Sequence, residues 1–201
     1  MKINANKNHL YVLLVTTLSS FLTPFMGSAI NVALPAIAEE LSMTALTLSW
    51  VATSFILVAS ISLIPLGRLA DIYGRRRIFI YGALIFTVAS AFCIWSPTQA
   101  FLIAVRALQG IGGAMIFSTG TAMLISAYPP SDRGKILGIN ITAVYVGLTV
   151  GPFIGGLLAQ YLGWRYIFLF TVFLGLTIIF TTLAKIEPET SVREDEGFDL
   201  T

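Results

Sequence analysis

One cysteine, one histidine, and few charged side chains are all that this 201-residue chain holds of the residues most reaction chemistry draws on. Cys93 stands alone, so no internal disulfide can form, and within an apolar stretch it reads as a small buried hydrophobe. His9 and Cys93 together supply two ligands, too few for a tetrahedral metal site. His9 also falls at the edge of an apolar segment, so a serine–histidine hydrolase working inside a membrane would lack its base. The chain is therefore not expected to be an enzyme or to carry a cofactor. The shortage of charge has the widest consequence. Charged residues make up 11% and hydrophobic ones 56%, against about 25% and about 45–50% in a soluble domain. Such a chain cannot clothe a water-facing surface, and its first partner is the lipid bilayer. It also has no basic stripe of the kind that binds nucleic acid.

What is present is a set of apolar runs, each long enough to span hydrocarbon at roughly 20 residues. Six lie at 10–34, 45–66, 78–95, 100–127, 136–162 and 164–184. Short polar connections separate them: Glu39-Glu40, a charged turn over 67–77, residues 96–99, residues 131–135, and Gly163. The first run is too long for the about 7–15-residue core of a secretory signal. With the N-terminus on the cytoplasmic side, ten basic residues fall inside (Lys2, Lys7, Arg68, Arg75, Arg76, Arg77, Arg133, Lys135, Lys185 and Arg193) and only Arg165 outside. That asymmetry follows the positive-inside rule and places both termini in the cytoplasm. The fold expected is all-α and integral to the membrane, with a six-helix domain over 1–186 and a polar cytoplasmic linker over 187–201.

Arg106 is the one ionisable residue deep within a span, and such residues usually mark function or a polar interior. On a helix it shares a face with Gln109, Gly110 and Gly113. In the fifth run, Ala143, Gly147, Gly151, Gly155 and Ala159 recur every four residues and form a groove that lets another helix approach closely. Pro152 leaves the Leu148 carbonyl without its helical partner, so a bend is expected there. Thr142, Tyr145 and Thr149 lie on the opposite side, available to a polar cavity. In the first run, Thr17, Ser20, Pro24, Ser28 and Asn31 fall within about 80° on a helical wheel, with Met26 nearly opposite. Periodicity leaves open which of these two faces meets a cavity.

Together these segments resemble the major facilitator superfamily, and within it the drug:proton antiporters. Gly67, Leu69, Ala70, Asp71, Gly74, Arg75 and Arg76 match the family's motif A. The stretch from Arg106 through Gln109 to Ala114 is similar to motif B. Gly147, Gly151, Pro152, Gly155 and Gly156 sit where motif C, associated with antiport, has its glycines and proline. Residues 28–35 resemble the first-helix signature of the fourteen-helix branch. The resemblance implies one half of a transporter built as a three-plus-three inverted repeat, with no cofactor and a proton gradient as the energy source. It implies a cytoplasmic gate of Gly67, Asp71, Gly74, Arg75 and Arg76. A substrate and coupling cavity would draw on Met26, Asn31, Arg106, Gln109, Thr142, Tyr145 and Thr149, and the motif C groove would shape a hinge.

Two departures stand out. Met26 occupies the position where the first-helix signature places an aspartate. A buried carboxylate is the natural proton carrier, because burial raises its pKa, yet all ten acidic residues lie in connections or in the tail. The preference for cations is thereby weakened, and neutral or anionic substrates enter the expected range. The chain also supplies six helices, where the family has twelve or fourteen with substrate between two halves. The function expected is efflux of drugs or small amphipathic metabolites. A C-terminal half in the same or another chain, or a second copy, would complete the cavity. An uptake symporter or uniporter half, and a non-transporting remnant or partner subunit, are the alternatives.

Overall fold

Hydrocarbon offers no hydrogen bonds to the backbone, so an apolar run that crosses it must satisfy every N–H and C=O internally, as a helix. The computed structural model describes residues 2–186, with side chains from residue 8 onward. The polar linker expected over 187–201 lies outside the described residues. Within them six helices follow one another: α1 (Lys2–Glu40), α2 (Ala45–Tyr73), α3 (Arg75–Ile94), α4 (Gln99–Ala127), α5 (Arg133–Tyr161) and α6 (Arg165–Lys185). All six are long and apolar enough to cross a membrane.

The helices overrun the apolar runs that seed them. The charged stretch over 67–77, expected as a turn, is helical on both sides of Gly74. Gly74 alone breaks the backbone, at φ 97°, a left-handed value that suits glycine. Its N–H bonds the Ala70 carbonyl at 3.0 Å, and its own carbonyl accepts from Ile78 N–H at 3.2 Å. Arg133, Gly134 and Lys135, expected in a loop, form the first turn of α5, and α1 runs through Pro35 to Glu40. Charged side chains reach water from a helix end as readily as from a loop, so polarity stops the hydrocarbon span without stopping the helix. The break expected at Gly163 is present, again at a positive φ of 105°. α5 passes Pro152 without interruption, so the proline does not end the helix. Thr44 and Thr98 cap α2 and α4 through their hydroxyls, each 3.3 Å from a first-turn N–H.

In the packing, α1 lies against α5 and α6, and α4 lies against α2 and α3. α1 meets α4 at the centre, and α3 meets α6. Exchanging the first three helices with the last three maps this set of pairings onto itself. Because the second triplet starts from the opposite side of the membrane, the two units form an inverted repeat. The close pairs depend on glycine. A Cβ at Gly147 would lie 2.6 Å from the Phe21 carbonyl, one at Gly155 would lie 2.7 Å from Ala29 Cα, and one at Gly151 would collide with the Ser28 hydroxyl. In the symmetry-related pair, a Cβ at Gly110 would lie 2.5 Å from the Phe55 carbonyl. α2 and α5 are the least buried of the six.

Candidate functional site

Arg106 is buried to 1% exposure between α2, α3 and α4. Its Nε donates to the Val51 carbonyl at 3.0 Å, and one terminal nitrogen donates to Gln109 Oε1. Gln109 Nε2 donates to Ser90 Oγ at 2.7 Å, and that hydroxyl donates to the Phe86 carbonyl. The guanidinium carbon lies 4.5 Å from the Phe55 ring centroid. Among the described residues no carboxylate pairs with it. Neutral dipoles and a ring face therefore compensate a full charge in the interior, a costly arrangement that holds only while every donor keeps its acceptor.

The structure sets the expected cavity residues in two groups, buried and exposed. Arg106 and Gln109 sit inside the half-bundle. Met26 is likewise buried, because the α1 face opposite the polar stripe turns toward α6, where the Thr171 hydroxyl lies 3.2 Å from its sulfur. Asn31, Thr142, Tyr145 and Thr149 are exposed. The hydroxyls of Thr142 and Thr149 bond back to carbonyls one turn earlier, both at 2.8 Å. Two members of the α1 polar stripe bond α5: Ser20 donates to Asn140 Oδ1 at 2.8 Å and Ser28 to the Gly147 carbonyl at 3.2 Å. The Gly147, Gly151 and Gly155 groove of α5 is filled by α1 itself, while Gly156 lies in ordinary contact with Val32. Pro152 is exposed.

At the arginine-rich end, Gly67 lies beside Ser118 of α4. Asp71 pairs with Arg75 across Gly74 at 3.1 Å, and Arg75 also donates to Ser126 Oγ of α4 at 2.6 Å. Each charge of this pair opposes its own helix dipole, an anion in the last turn of α2 and a cation in the first turn of α3. Their proximity offsets both penalties. Arg76 turns the other way and donates to the Thr182 carbonyl of α6 at 3.3 Å.

The opposite end holds a cluster that the sequence reading missed. Glu40, at the end of α1, accepts from Trp164 Nε1 at 2.8 Å and from a terminal nitrogen of Arg165. The Arg165 guanidinium also donates to the carbonyls of Ile94 and Ser96, and it stacks 4.3 Å over the Trp164 ring. One side chain thus ties together the ends of α1, α3 and α6. The sequence signal was available: the one basic residue assigned to that side shares it with the Glu39-Glu40 pair.

No reaction centre is assembled by these groups. They make a rigid half-bundle with polar clamps at both ends and inside. Comparison with known proteins agrees. The chain is 29% identical to the riboflavin transporter RibZ of Clostridioides difficile, over 94% of this chain and 41% of the relative. It is 34% identical to the multidrug resistance protein Stp of Mycobacterium tuberculosis, over 97% of this chain and 36% of the relative. It is 29% identical to the tetracenomycin C resistance and export protein of Streptomyces glaucescens, over 94% of this chain and 35% of the relative. The chain therefore spans 35–41% of the length of these relatives. Residues 16–199 match the family model of the Major Facilitator Superfamily. Six membrane-crossing helices paired as an inverted repeat, and a family match over nearly the whole chain, make this multi-pass membrane protein a member of the Major Facilitator Superfamily of transporters.

Proposed function

We propose that this chain forms the first half of a transporter that exports drugs or small amphipathic metabolites in exchange for protons, with both termini in the cytoplasm. The observation that carries this reading is the exposure of α2 and α5. They flank the central α1–α4 pair, and the small-residue ridge of α5 already packs on α1, so its outward face is left for a second half. Tyr145 and Thr149 present phenol and hydroxyl groups there, Thr142 borders the same face, and the exposed Asn31 offers an amide from α1. Asp71, with its side chain 64% exposed and at the unfavourable end of α2, is suited to meet a helix N-terminus of that second half. Arg75 and Gly74 hold it in place, Gly67 lies against α4 beside Ser118, and Arg76 anchors the gate to α6. Arg106 and Gln109 support coupling from behind the cavity wall by fixing the relative positions of α2, α3 and α4. The second half belongs to the same chain, to another chain, or to a second copy of this one.

A metabolite rather than a drug is favoured by two observations. The relative RibZ is named for riboflavin, and the position of the family aspartate is a methionine bonded to Thr171. A cavity without that carboxylate, backed by a guanidinium that no carboxylate pairs with among the described residues, suits a neutral or anionic solute.

The test is transport in proteoliposomes under an imposed pH gradient, with one cationic and one neutral fluorescent dye. The chain alone is expected to move neither. Joined to the second half of Stp, it is expected to give gradient-driven export. Export by the chain alone, or movement of solute only with the proton flow, would overturn the proposal.

A further inference from the structure

α5 and α6 touch only lightly, and beside that seam a cleft of about 750 Å3 opens, floored by α1. Leu14, Leu18 and Phe21 of α1, Ile139 and Val146 of α5 and Ile178 of α6 make it apolar. Two of its lining hydroxyls, Thr142 and Thr177, are turned onto carbonyls of their own helices. Along α1 the lining runs from Tyr11 to Phe21, about 15 Å at 1.5 Å per residue. That is half of the roughly 30 Å hydrocarbon thickness, the depth of one leaflet. A helix, about 10–12 Å across with its side chains, has a poorer fit than an extended alkyl chain.

At the arginine-rich end both walls finish in a lysine. Lys135 lies one turn before Ile139, on the helical face that carries Thr142 and Val146. Lys185 lies one turn after Thr181, and its Nζ stands 5.8 Å from the centroid of the Tyr11 ring at the mouth of the cleft. Both lysines are exposed. The nearby acid, Asp132, lies toward Tyr128, whose phenol is pushed up by burial and by that carboxylate.

We infer that this cleft binds an anionic phospholipid of the adjoining leaflet, with an acyl chain between α5 and α6 and the headgroup phosphate between Lys135 and Lys185. Anionic headgroups are drawn to basic side chains at this depth, each worth about fivefold in affinity. A cationic amphiphile would be repelled at the mouth, and a zwitterionic lipid gains less from it.

The full chain, purified in detergent and mixed with dioleoyl phosphatidylglycerol or dioleoyl phosphatidylcholine, tests this by native mass spectrometry of retained lipid. Phosphatidylglycerol is expected to be retained at least tenfold better. The double variant Lys135→Ala/Lys185→Ala should lose that preference while still retaining phosphatidylcholine. Val146→Trp, which sets an indole across the path of the acyl chain, should lose both lipids. Ile139→Trp on the same wall serves if that protein does not elute as a single folded species. Equal retention of the two lipids, a preference that survives the double variant, or an obstructed cleft that still retains phosphatidylglycerol would each overturn the assignment.

Discussion

Arg106 and Arg165 show how differently two guanidinium groups work in one small bundle. Arg106 is enclosed, and its removal takes one donor from the Val51 carbonyl and leaves Gln109 Oε1 without its partner in the interior. Each unsatisfied buried group costs about 1–3 kcal/mol, so Arg106→Ala should lower the thermal midpoint in detergent sharply. Arg106→Lys should recover only part of that loss, because an ammonium cannot reproduce the planar fork or its stacking on Phe55. Arg165 is partly exposed, and so is Glu40. The ion pair itself therefore contributes little, within about 1 kcal/mol. Glu40→Gln should leave the midpoint nearly unchanged. Arg165→Ala should cost more, because the Ile94 and Ser96 carbonyls lose a donor, and hydrogen exchange at the end of α3 should speed up. Equal effects of these two changes would show that the charge, not the carbonyl clamp, holds the corner.

Between helices, the α1–α5 seam is set by backbone contact. Gly151→Val would drive a side chain into the Ser28 hydroxyl and the Phe25 carbonyl, separating the pair at a cost of about 1–3 kcal/mol. Gly156→Ala meets only Val32, at 3.6 Å, and should be neutral; thermal melting of the two variants side by side distinguishes them. The spans and the every-fourth-residue ridge were legible in the sequence because hydrocarbon thickness and helical period impose them directly. The helix ends were less so: the charged residues on either side of Gly74 leave the hydrocarbon but remain helical, which polarity does not reveal. Met26 was placed by a wheel that left two faces open, and only the packing of α6 against α1 decided between them. The Glu40–Arg165 corner joins residues 125 apart in sequence, a distance no local pattern reports.

For the molecule as a whole, the gate pair is where assembly with a second half should be felt. Asp71→Asn removes an exposed charge, so the melting of this chain should hardly change. If Asp71 meets a helix N-terminus across the interface, the same change should cut export by the joined transporter at least tenfold. Unchanged export would place the contact elsewhere.

The link between α2 and α3 is one residue long, and that has a mechanical consequence. With only Gly74 to absorb strain, the two helices behave as the arms of a bell crank. Any tilt of α2 must swing α3, and through Arg76 on the Thr182 carbonyl the swing reaches α6 on the far side of the bundle. A displacement begun at the outer flank would therefore arrive at the opposite flank with little slack, so that the half moves as one piece.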